Sequence, residues 1–247
     1  MIKQIPNIIT SMNLLCGCVA VIFAVSGDLV TASIFAFLGI FFDFFDGLAA
    51  RLLNAHSEIG LQFDSLADMI TSGLVPSIVM VQLISQSITG ETLQVESLGS
   101  TPGWNTIIVN YIPFIGLLIA LASGFRLAKF NVDTRQTNSF IGLPTPANTL
   151  LILSLPLILA FQNSELITSL FLNQWFLIGL TILCSILLNA ELPLFALKFK
   201  TWDFASNKIR YFFLLLSIIA IVLLKFIAIP VVIVLYIFLS LFQKKEV

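Results

Sequence analysis

The chain has 247 residues, of which 58% are hydrophobic and only 10% charged, with a formal net charge of −1. Its mean hydropathy of +1.05 excludes an ordinary soluble domain and points to an all-α polytopic membrane protein. Nothing in this composition invites a nucleic-acid partner. No early stretch combines a basic start, a short apolar core and a small-residue cleavage site, so the first apolar segment reads as retained.

Residues 1–12, with Ile2, Ile5, Ile8 and Ile9 at helical spacing and Pro6 near the start, read as a juxtamembrane amphipathic helix lying in the interface. A span needs about 20 apolar residues. The chain offers candidates at 14–25, 30–53, 61–85, 106–130, 144–162, 175–189, 211–224 and 226–242, about eight spans. Only Lys225 and Phe226 separate the last two, which form either a tight hairpin or one long bent element. Residues 86–103 read as a flexible polar loop, and no soluble domain or internal repeat is visible, so 1–247 reads as one integral-membrane domain.

Basic loops stay cytoplasmic. With the N-terminus inside, Lys3, Arg51, Arg126, Lys129, Arg135, Lys198, Lys200, Lys208, Arg210, Lys244 and Lys245 fall on or near the cytoplasmic side, while Lys225 lies opposite. Both termini are then cytoplasmic, in the cytoplasmic (inner) membrane of a prokaryote. Trp104 and Trp175 read as interface anchors. Cys16, Cys18 and Cys184 read as small apolar filler.

The stretch "DFFDGLAARLLNAHSEIGLQFDSLAD" carries Asp43, Asp46, Asp64 and Asp68 inside apolar segments. Each carboxylate costs roughly 2.5–3.5 kcal/mol at a helix centre, so a compensating partner is required. Asp43 and Asp46 are three apart and Asp64 and Asp68 four apart, so each pair shares a helix face, and the turn near 54–58 brings the pairs together. All-oxygen ligands favour hard divalent ions, Mg²⁺ or Mn²⁺, and four acids suit two ions, a combination used on phosphoryl groups. Gly47, Ala49, Ala50 and Gly60 leave the faces bare for close approach, and Arg51 offers a fork for phosphate oxygens. The rival use of such carboxylates is the ion site of a cation-coupled transporter, which predicts a site near the bilayer midplane. His56, in the turn, reads as a solvated residue.

The string Asp43, Asp46-Gly47, Ala50-Arg51, Gly60, Asp64, Asp68, with its intervening spacings, resembles the signature of the CDP-alcohol phosphotransferases at all eight specified positions. The resemblance implies a membrane enzyme that moves a phosphatidyl group from CDP-diacylglycerol to an alcohol and releases CMP. It implies a six-helix core, a homodimer and a site open to the cytoplasm and the bilayer, with the last two spans as additions. It implies that Asp43, Asp46 and Asp64 ligate two divalent cations, and that Asp68 is a general base that also touches metal. Gly47, Ala50 and Arg51, with Gly60 beside them, would line the nucleotide site.

Three further stretches, "PNIITSMNLLCG", "RLAKFN" and "GLPTPA", resemble the phosphatidylserine synthase branch of the family and imply L-serine as acceptor. A serine carboxylate wants a cation. Arg126 and Lys129 share a helix face, Arg135 follows, and Asn7, Thr10 and Asn13 offer polar contacts; Arg126, Lys129 and Asn13 are therefore the candidate acceptor residues. Glycerol 3-phosphate or an inositol phosphate would need more convergent basic groups, and the same three bases leave that alternative open.

Overall fold

The computed structural model describes residues 4–55, 57–94, 111–133, 139–162, 164–195, 203 and 208–242. The calls on Lys3, His56, Trp104, Arg135, Lys198, Lys200, Lys244 and Lys245 lie outside them.

Helix α1 spans Ile5–Val25 without a break, beginning with Pro6 in its first turn, where a missing N–H costs nothing. Over its described residues, the interfacial segment expected at 1–12 runs continuously into the first span. Ile5 and Ile8 are 39% and 60% exposed, whereas Thr10 and Asn13 are buried. The apolar residues look outward and the polar ones inward, the reverse of a helix resting on a soluble core.

A turn at Gly27, which adopts φ +86°, leads to α2, Leu29–Leu52. Asp28 caps it, accepting a hydrogen bond from the Thr31 amide at 3.0 Å. Ala20, Ala24, Ala32 and Ala36 are completely buried and belong to one core with Val75, Val79 and Leu83. Small residues on neighbouring helices let backbones approach, which is how membrane helices gain packing energy when lipid removes the hydrophobic drive.

Asn54, at φ +47°, turns the chain into α3, Glu58–Asp68. Ser57 caps that helix by accepting from the Gly60 amide at 3.0 Å. One π-helical segment, Met69–Leu74, joins α3 to α4, Val75–Thr89, and Gly90 at φ +82° ends the run. A 3₁₀ turn, Ile112–Leu117, runs into α5, Leu118–Val132. α6 covers Thr145–Phe161, and α7, Glu165–Phe171, meets α8, Gln174–Asn189, at a 56° bend. Two short strands, β1 (Ser139–Ile141) and β2 (Pro193–Phe195), pair antiparallel. They tether the start of α6 to the end of α8, reinforced by Leu143 N–H donating to Leu187 O at 2.8 Å.

The chain closes with α9, Lys208–Leu224, and α10, Ala228–Phe242. The Phe213 and Tyr236 rings lie 5.8 Å apart although 23 positions separate them, so the two helices fold back as a hairpin, with Lys225 at φ +50° in its turn. Among the described residues, five helical stretches are long and apolar enough to cross a membrane, six when the bent α7–α8 pair counts as one. The expected eight exceeds this because α6 has only 17 residues and because Ile209–Leu241 is a single apolar stretch folded in two.

Candidate active site

The site sits where α1, the second half of α2 and the first half of the α3–α4 run converge, on the side of the Asn54 turn. Helical spacing places Asp43 and Asp46 on one face of α2 and Asp64 and Asp68 on one face of α3. The fold brings three of them together: carboxylate oxygens of Asp43, Asp64 and Asp68 all lie within 4.8 Å of one another. Asp46 lies beside that group of three, held by α1. It is 5% exposed, and its Oδ2 accepts from the Thr10 hydroxyl at 2.6 Å. A hydroxyl of α1 thus holds one oxygen of this acid.

Asp68 also meets α1. Asn13 Nδ2 donates to its Oδ1 at 3.2 Å, while Asn13 Oδ1 accepts from the Thr71 hydroxyl at 2.7 Å. Asn13 therefore stands beside a carboxylate of the cluster. Asp64 Oδ1 is buried and has no hydrogen-bond partner among the described residues. A buried unpaired carboxylate oxygen in a group of three is a costly arrangement that a bound cation relieves, and an all-oxygen donor set suits a hard divalent ion. The residues present fit such an ion.

Beside the acids lies a cleft of about 200 Å³, lined by Asp64, Ser65, Asp68, Arg126, Asn131 and Thr145 among others. Arg126, 7% exposed, donates from Nη1 to the Thr145 hydroxyl at 2.9 Å, and its Nε has no partner among the described residues. The strand pair explains this meeting, because it holds the "GLPTPA" stretch against α8 and so delivers Thr145 to α5. Lys129 is not part of the lining; half-buried, it pairs with the exposed Glu191 at 3.9 Å. Asn131 was absent from the sequence-derived candidates. Its Nδ2 donates to Ser65 Oγ at 2.9 Å and to Gln62 Oε1 at 3.4 Å, closing the cleft wall between α3 and α5. It is the last residue of the "RLAKFN" stretch, which held the sequence signal for it.

On the α2 side, a Cβ built on Gly47 would meet nothing within 4 Å, so open space flanks Asp46. Ala50 is half-buried on the same helix. Arg51 is exposed and donates from Nε to Gly47 O at 3.0 Å. Gly60 faces α1: a Cβ there would lie 2.9 Å from Ser57 Oγ and 3.1 Å from Asn7 Oδ1, so its bareness serves helix approach.

Residues 3–187 match the family model for CDP-alcohol phosphatidyltransferase, a region that stops short of the final hairpin. The chain is similar to the CDP-diacylglycerol--serine O-phosphatidyltransferase of Bacillus subtilis (strain 168), 37% identical over 148 residues, 58% of this chain and 70% of that protein. It is similar to the enzyme of the same name from Helicobacter pylori (strain ATCC 700392 / 26695), 30% identical over 149 residues, 60% of this chain and 54% of that protein. It is also similar to the archaetidylserine synthase of Methanothermobacter thermautotrophicus, 28% identical over 146 residues, 58% of this chain and 53% of that protein. The family match over three quarters of the chain, together with three clustered aspartates of the signature, has one meaning: this chain belongs to the CDP-alcohol phosphatidyltransferase family.

Proposed function

We propose that this protein is a CDP-diacylglycerol-dependent phosphatidyltransferase whose acceptor is L-serine, so that its products are phosphatidylserine and CMP. The observation that carries the reading is one cleft lined by Asp64, Asp68 and Arg126, which joins a proton acceptor to a cation for the acceptor's carboxylate. The names of the similar proteins support serine as the acceptor.

In this reading Asp43, Asp64 and Asp68, with Asp46 beside them, hold two divalent cations, Mg²⁺ or Mn²⁺. When bound, these ions neutralise the diphosphate and the charge that develops on departing CMP. Gly47, Ala50, Arg51 and Gly60 border the nucleotide, a role supported by the open space at Gly47. Arg126 takes the serine carboxylate on the Nε edge that Thr145 leaves unused. Asp68 accepts the proton of the serine hydroxyl while that oxygen attacks the phosphorus carrying diacylglycerol. The new P–O bond forms as the bond from that phosphorus to the CMP oxygen breaks. The chain acts as a homodimer in the cytoplasmic membrane, with its site on the cytoplasmic side, as the basic residues around the Asn54 side support. The final hairpin belongs to the same domain, supported by Ile233 and Tyr236 packing with Leu143 and Leu151.

The deciding experiment is CMP release by the purified protein in detergent with CDP-diacylglycerol and Mn²⁺ or Mg²⁺, adding serine, glycerol 3-phosphate or inositol 1-phosphate singly. Release stimulated by serine alone is expected. Stimulation by a phosphorylated acceptor alone overturns the acceptor, and no metal-dependent release with any alcohol overturns the enzyme reading.

A further inference from the structure

We propose that Thr71 and Asn13 form a two-residue relay that sets the orientation of the Asp68 carboxylate, making both positioning residues for the transfer step. The inference rests on the reading of Asp68 as proton acceptor and explains why two polar side chains are buried at the meeting of three helices.

An asparagine side chain has one accepting end and one donating end, and only its partners decide which way it points. Here the Thr71 hydroxyl donates to Asn13 Oδ1 at 2.7 Å, with the Asn13 carbonyl oxygen 3.3 Å away as a second acceptor. That bond commits the oxygen end of the amide to Thr71 and turns the Nδ2 end toward Asp68 Oδ1 at 3.2 Å. The reversed amide would set its oxygen against a carboxylate oxygen. Thr71 and Asp68 thus hold the two ends of the amide, the hydroxyl on Oδ1 and the carboxylate on Nδ2, and Asn13 in turn holds one carboxylate oxygen and the rotation of the group. Both residues are completely buried, so water does not compete for these bonds.

A second observation shows space made for the relay. Thr71 sits in the π-helical segment that begins directly after Asp68. Both α1 and α2 carry a glycine against it. A Cβ on Gly39 of α2 would lie 2.7 Å from Thr71 Cγ2 and 3.0 Å from Asn13 Oδ1, and one on Gly17 of α1 would overlap the Thr71 hydroxyl. The π turn, which places one extra residue in a helical turn, is a device found at functional sites, and here it carries Thr71 to the amide.

The test is a double-mutant cycle in detergent, reading kcat and both KM values by CMP release with CDP-diacylglycerol and serine. Thr71→Val keeps the shape and removes the donor; kcat is expected to fall about 10- to 100-fold, the usual effect of losing a group that orients a reacting side chain, with both KM values within about threefold. Thr71→Ser restores the donor and is expected to recover most of the rate. Asn13→Ala is expected to match Thr71→Val, and the double variant to be no worse than Asn13→Ala alone, since the hydroxyl acts only through the amide. Wild-type kcat in Thr71→Val, no rescue by serine, or losses that multiply in the double variant each overturn the relay. If the unsubstituted protein releases CMP only with a phosphorylated acceptor, the acceptor reading falls and the same cycle, run with that acceptor, judges the relay. If it releases CMP with no alcohol, the assigned base has no reaction to serve and the relay falls with it.

Discussion

Replacing Arg126 tests the acceptor pocket most directly. Its Nη1 is committed to Thr145 at 2.9 Å, while Nε has no partner among the described residues. The Nε–Nη2 edge is the one that grips a carboxylate with two parallel hydrogen bonds. Each hydrogen bond to a charged group is worth about 1.5–3 kcal/mol, so losing two costs about 3–6 kcal/mol. At 1.36 kcal/mol per tenfold, Arg126→Ala should lower kcat/KM for serine by about 10² to 10⁴. Arg126→Lys keeps the charge but not the fork, and should recover roughly half of that free energy. The assay is CMP release measured in two series, serine varied at saturating CDP-diacylglycerol and the reverse. The loss should appear in the serine series, with KM for CDP-diacylglycerol within about threefold of wild type, because interactions made only to serine leave the other substrate's binding untouched. A serine KM that stays unchanged in Arg126→Ala, or an equal rise in both KM values, refutes the assignment.

Four further outcomes follow from the geometry. Lys129→Met should leave serine KM within about twofold of wild type, since its pair with the exposed Glu191 is worth about 0–1 kcal/mol; a large KM rise would return Lys129 to the site. Thr10→Val removes the 2.6 Å bond to Asp46, and kcat/KM should fall about tenfold with partial recovery in Thr10→Ser, measured by the same assay; unchanged kinetics would mean that Asp46 needs no anchor. Gly39→Ala drives a methyl into Thr71 and Asn13 and should cost about 1–3 kcal/mol, read as a lowered Tm in detergent, whereas Gly179→Ala, which meets nothing within 4 Å, should leave Tm unchanged. Chelation of divalent ions should abolish CMP release, and Mn²⁺ should restore it in wild type but not in Asp64→Asn; Mn²⁺ electron paramagnetic resonance should show the corresponding loss of bound ion, and retained binding would place the ion elsewhere.

Much of the site was legible in the chain because its logic is local. Asp43 and Asp46 at a spacing of three, and Asp64 and Asp68 at a spacing of four, must share helix faces whatever the tertiary arrangement. Apolar length and low charge likewise dictate membrane spans. Arg126 stood out for the same reason, a lone guanidinium deep in an apolar helix. The signature's spacing identified the family before any geometry did, and residues 3–187 bear that out.

What the chain alone left undecided are the pairings between distant positions. Hydropathy could not tell that the polar face of the first segment turns inward, because Thr10 finds Asp46 and Asn13 finds Asp68 across 36 and 55 positions. Nor could it separate a hairpin from a long bent helix in the last apolar stretch, where a turn at Lys225 and the contact of Phe213 with Tyr236 decide. Asn131 ends the "RLAKFN" stretch but carries no charge, and only the crossing of α3 and α5 brings it to Ser65. Asp46 shows the division most plainly. Helix periodicity puts it on the face of Asp43, and only the tertiary structure shows that α1 reaches it with a hydroxyl at 2.6 Å. Periodicity along one helix determines which side chains share a face; which of them share an ion or a hydrogen bond depends on helices that pack from elsewhere in the chain, and that information exists only in three dimensions.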